Sequence, residues 1–141
     1  MSSNDDKIRV LQTTIEKKRK ALGDKPKINY VTNGLLNVGD KRLNLNLINT
    51  TGQCVSVVTD LLVIKHHTEE ANEILGTTEP AAVGDYSVDQ WIGDVKQRAD
   101  VILWSQEDRK LKQLDEQLDS WLSEEAQAAD ALADIAALLK D

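Results

Sequence analysis

Residues 104–122 read WSQEDRKLKQLDEQLDSWL. Trp104, Leu111 and Leu118 recur every seven residues, and Leu114 and Trp121 repeat the interval, so five large apolar groups share one stripe of a helix. The stretch belongs to a 55-residue arm, Ser87–Asp141, that has no proline, one glycine (Gly93) and all three tryptophans of the chain. Such a stripe has to be covered by another helix of the chain, by a second copy or by a partner. Two filled heptads fall short of the three or four that mark a coiled coil, and Glu107 and Glu125 stand where a closed seam needs apolar groups. A bundle that recruits the N-terminal helix fits better than a long zipper.

Upstream, Ser87 with Gln90 forms a capping box, and Tyr86 is placed to staple onto Trp91. Val88, Val95 and Ile102 are heptad-spaced but out of step with the Trp104 series. The helix must kink near Trp104 and Ser105 or turn a different face to a different neighbour. Ser123, Glu124 and Glu125 restart a helix with Ala128, Leu132, Ile135 and Leu139 along one side, as a helical hairpin or as an extension of the rod.

The first 86 residues have three recognisable elements. Asp5–Leu22 is an amphipathic helix with Ile8, Leu11, Ile15 and Leu22 on one face, acids in its first turn, cations in its last and a stop at Gly23. Lys25–Asn49 predicts a β-hairpin. A Gly39-Asp40 loop pairs Val38 with Lys41 and Leu36 with Leu43, and the alternation extends to Leu45 and Leu47 on the apolar face, with Asn33, Asn44 and Asn46 opposite. Asn33-Gly34 offers a competing turn or a bulge. Thr50-x-x-Gln53 is a second capping box and Gly76 a C-terminal stop. Between them Cys54, Val57, Leu61, Ile64, Thr68, Ala71 and Leu75 keep a 3-4 spacing, and the apolar first half predicts a central buried helix against the hairpin. Residues 76–86, with Pro80 and Gly84, read as a loop.

Composition narrows the function. Aromatics make up 4% of the chain and phenylalanine is absent, so the core is aliphatic. One cysteine, Cys54, excludes an internal disulfide and a Cys-pair zinc site. No stretch approaches the ~18 apolar residues of a membrane span, and Met1–Asp6 is polar rather than signal-like, which predicts a soluble cytoplasmic protein. Residues 1–70 carry 11 Lys/Arg against 8 Asp/Glu, and residues 71–141 carry 6 against 16, so a net +3 faces a net −10. The asymmetry suits an acidic tail beside a phosphate-facing end, or two solvated surfaces that pair between subunits.

The basic cluster Lys17, Lys18, Arg19, Lys20, Lys25 and Lys27 is the one candidate nucleic-acid-binding surface, but no aromatic is interleaved with it. His66 and Glu70 share a helix face with Glu73 near, among exposed charges and short of the three or four converging ligands of a metal site. Cys54 lies near a helix start, where thiol pKa falls, yet it holds a core position. Asp115 and Asp119, like Asp130 and Asp134, share faces of amphipathic helices without needing chemistry. No phosphate loop, nucleophile elbow or zinc-protease pattern occurs, and no catalytic residue, metal or cofactor is expected.

The sequence therefore predicts an α+β fold: a small antiparallel hairpin packed on a buried helix, an N-terminal helix, and a long C-terminal helical arm in a bundle or short coiled coil. Its expected parts are 1–24, 25–86 and 87–141. The expected function is a non-enzymatic interaction protein, homo-oligomer or adaptor, working through Trp104, Leu111, Leu114, Leu118 and Trp121. The alternatives are a nucleic-acid-associated regulator using the cluster at 17–27, an acidic inhibitor of a DNA-binding protein, and a small-molecule binder with residues 76–86 as its lid.

Overall fold

Among the described residues, two short hairpins and three helices make up the α+β fold, in the order α1 (Ser3–Leu22), β1 (Leu35–Val38), β2 (Lys41–Asn44), α2 (Thr51–Leu75), β3 (Ala82–Val83), β4 (Tyr86–Ser87) and α3 (Val88–Leu139). A computed structural model describes the backbone of residues 3–139 and the side chains of residues 5–125. The sequence stripe Ala128, Leu132, Ile135 and Leu139 and the pair Asp130 and Asp134 lie outside the described side chains.

By contact the chain divides into two compact units, Lys25–Ser105 and Met1–Asp24 with Gln106–Asp141. These units cut through the sequence partition at 86/87, because the first turns of α3 pack in the unit that holds both hairpins. α3 runs without a break across Trp104 and Ser105. The Val88, Val95 and Ile102 frame belongs to the core of the 25–105 unit.

That core joins Leu36, Val38, Leu45 and Ile48 to Cys54, Val57 and Leu61 of α2 and to Val88, Trp91, Val95 and Ile102 of α3. The β1–β2 register is Val38 opposite Lys41 and Leu36 opposite Leu43, as the two-residue turn at Gly39-Asp40 requires. The strand does not continue to Leu47. Asn44 Oδ1 accepts the Asn46 N–H at 3.0 Å and caps a single 3-10 turn, Leu45–Leu47, which keeps Leu45 buried and turns Leu47 out to solvent. Gly34, at φ +74, packs its backbone under the Tyr30 ring, 3.5 Å from where a Cβ would stand.

Both capping boxes form. Thr50 and Gln53 exchange side-chain and backbone bonds at the start of α2, and Gly76 ends that helix in the left-handed region at φ 68. Ser87 Oγ accepts the Gln90 N–H at 3.1 Å, and Gln90 Oε1 accepts the Ser87 N–H at 2.9 Å. Tyr86 meets Trp91 edge-on with ring centroids 5.5 Å apart, and the indole N–H donates to the Val83 carbonyl. Residues 76–86 are more ordered than a plain loop: Val83 pairs with Tyr86 across a Gly84-Asp85 turn.

One expectation about α2 needs correction. Its first half is not buried all round. Cys54, Val57 and Leu61 face the core, but Val55, Leu62 and Val63 are exposed. A helix laid on a two-stranded hairpin and one neighbouring helix has neighbours on one side only.

Candidate interaction surface

In the unit made by α1 and the distal part of α3, three parallel lines can be drawn along the distal helix from seven-residue spacing: Asp108–Asp115, Leu111–Leu118 and Leu114–Trp121. α1 docks over the first two. The Arg19 guanidinium reaches Asp115 and lies 3.6 Å from Asp108, which also holds Lys112 at 3.0 Å. These bonds raise the Arg19 pKa, chiefly through Asp115, and hold the Asp108 carboxyl below its usual range, chiefly through Lys112 and then Arg19. Near the other end of α1, Glu125 and Asp5 share a hydrogen bond that raises the Glu125 pKa. Arg19 beside 108–115 and Asp5 beside 125 mean that the two helices run antiparallel.

Burial follows this geometry. Ile8, Leu11 and Ile15 of α1 and Leu111 of α3 are buried. Leu114, Leu118 and Trp121 are half-buried although α1 is in place, Trp104 is half-buried, and Leu122 is exposed. So the structure covers the centre of the sequence stripe with a helix of the same chain and leaves the Leu114–Trp121 flank open.

The basic cluster is divided between the two units. Arg19 is engaged by two aspartates, while Lys17, Lys18 and Lys20 of α1 and Lys25 and Lys27 of the other unit are exposed. His66 and His67 both lie near Glu70, at 3.3 and 3.8 Å, and no group of three or more His, Cys, Asp or Glu among the described residues is placed to hold a metal ion. Cys54 is buried, and burial pushes its thiol up, so the helix start does not activate it.

Two polar features had no local sequence signal. Asp94, fully buried, accepts the Val31 and Thr32 backbone N–H groups at 3.0 and 2.8 Å and the Thr32 hydroxyl, while Gln97 brackets Asn29 and Arg98 donates to the Ile48 carbonyl. One polar face of α3 thus ties down the chain at residues 29–32 and at Ile48. Tyr30 Oη is buried without a hydrogen-bond partner. A cleft of about 220 Å³ opens between α2 and residues 79–89, lined by Lys65, Asn72, Glu79 and Asp89 among others. Lys65 is bonded to Asp89, and Asn72 to Thr77 and Glu79, so its polar groups are spent on holding the walls together.

No family model, curated protein or solved structure matches the chain. No helix among the described residues is long and apolar enough to cross a membrane.

Proposed function

We propose that this chain is a non-enzymatic interaction protein that self-associates through the helix pair of α1 and distal α3. The observation that carries the reading is the half-covered flank Leu114 and Trp121 beside a docked α1. Two amphipathic helices can bury the line between them but not both flanks, and a second pair closes the core as a four-helix bundle. Charge favours a second copy as the occupant. Residues 1–24 carry 6 Lys/Arg against 4 Asp/Glu and residues 106–141 carry 4 against 10, so helices of net +2 and −6 alternate attractively around such a bundle.

Light scattering after size exclusion on the full chain, across a tenfold concentration range, tests it. The expected mass is a multiple of 15.7 kDa that becomes smaller in Leu114→Glu/Trp121→Glu with helical circular dichroism retained. A wild-type chain of 15.7 kDa at every concentration, or a variant that associates unchanged, overturns the reading. Nucleic acid is the weaker occupant, since Arg19 is already engaged and its neighbouring helix is acidic. Equal weak DNA binding by the wild type and a Lys17/Lys18/Lys20→Ala variant removes it.

A further inference from the structure

The outward face of α2 has a composition that fits a second copy of itself. Opposite the buried Cys54, Val57 and Leu61, the helix presents Val55 at 65%, Leu62 at 50%, Val63 at 49% and Ile74 at 83% exposure. Gly52, Ser56 and Thr59 supply small groups between them, and the space where a Gly52 Cβ would stand is empty. The charges on this helix are also arranged against its own dipole. Residues 51–59 have no charged side chain, while Glu69, Glu70 and Glu73 crowd the last two turns without a basic residue in the last one. Carboxylates there are disfavoured by the negative helix end, and the positive end is left without an anion.

We infer that a second copy of the chain docks on this face, the two α2 helices crossing antiparallel about a two-fold axis at Leu62 and Val63. The midpoint of Thr51–Leu75 is residue 63, so full overlap places residue n opposite residue 126 − n of the other copy. Ile74 then fills the open space at Gly52, Val63 meets its own equivalent with Leu62 one residue from the axis, and Glu70 and Glu73 lie beside the other helix's positive start, where Lys41 donates to Ser56 at 2.8 Å. One arrangement covers the exposed apolar groups and corrects both dipole ends. It does not depend on the α1–α3 surface, because α2 belongs to the other unit.

The test is cysteine cross-linking on the full chain, whose native Cys54 is buried. Leu62→Cys stands one residue from the axis and is expected to shift from the monomer to the dimer band on mild oxidation. Val55→Cys is more exposed, but its copy lies ~24 Å away along the helices at 1.5 Å per residue, and it is expected to stay monomeric. Both are repeated with Leu114→Glu/Trp121→Glu, which disables the other surface; the Leu62→Cys dimer is expected to persist there. No dimer from Leu62→Cys, equal dimer from both positions, or a dimer that vanishes in that background each overturns the α2 pairing. Leu62→Glu/Val63→Glu, at exposed positions that leave the core intact, is expected to lower the mass of the full chain by scattering.

Discussion

At the scale of single residues, Asp94 and Tyr30 make opposite predictions although both place a polar atom inside the 25–105 unit. Asp94 accepts three hydrogen bonds from Val31 and Thr32, and two of the donors are backbone N–H groups with no substitute if it is removed. Asp94→Ala should cost about 3 kcal/mol, because buried donors to a charged acceptor are left unpaired. Tyr30 Oη forms no bond, and burial raises the pKa of its phenol. Tyr30→Phe should therefore raise stability by roughly 1 kcal/mol, since the desolvated hydroxyl is removed and the ring over Gly34 is kept. Urea unfolding of both variants checks the pair. A stabilised Asp94→Ala, or a Tyr30→Phe destabilised by as much, would contradict these roles. Neither was legible in the sequence: Asp94 acts on backbone groups 62 and 63 residues away, and no local pattern marks an acid that will meet them.

At the scale of elements, local chemistry decided what could be read. The hairpin register, both capping boxes and the Tyr86–Trp91 staple are set within a few residues, and all of them form as their residues imply. The extension of the strand to Leu47 failed for an equally local reason, the Asn44 side chain capping a turn. The outward face of α2 was missed because a 3-4 spacing identifies a helix but not which of several apolar lines a small fold can cover. The docking of α1 carries its own pH dependence. The Glu125 pKa is raised by its hydrogen bond with Asp5, so this contribution is complete below the free value of 4.5 and is lost as pH rises through the higher docked value. Asp108 has the opposite sign: its pKa is lowered chiefly by Lys112 of its own helix and then by Arg19, and only the Arg19 part is a docking contribution, present above 3.8 and lost as pH falls through the docked value. Glu125→Gln removes the carboxylate repulsion and should slow amide hydrogen exchange in the first turns of α1 at pH 7, with little effect near pH 4. Unchanged exchange at pH 7 would mean that Asp5 and Glu125 do not influence the docking.

At the scale of the whole molecule, the two proposed surfaces lie on different units and each pairs with its own equivalent, which changes the expected assembly. A chain with one such contact stops at a dimer. A chain with two different two-fold contacts adds copies at both faces, and it stops only if the axes close into a ring. Sedimentation velocity at rising protein concentration distinguishes these cases. The wild type is expected to pass beyond twice 15.7 kDa, whereas Leu114→Glu/Trp121→Glu and Leu62→Glu/Val63→Glu each halt at the dimer and their combination is monomeric. A wild type that stops at the dimer would mean that one of the faces is idle, and the variant that abolishes this dimer would identify the working one. A combined variant that still associates would place the contact on neither face.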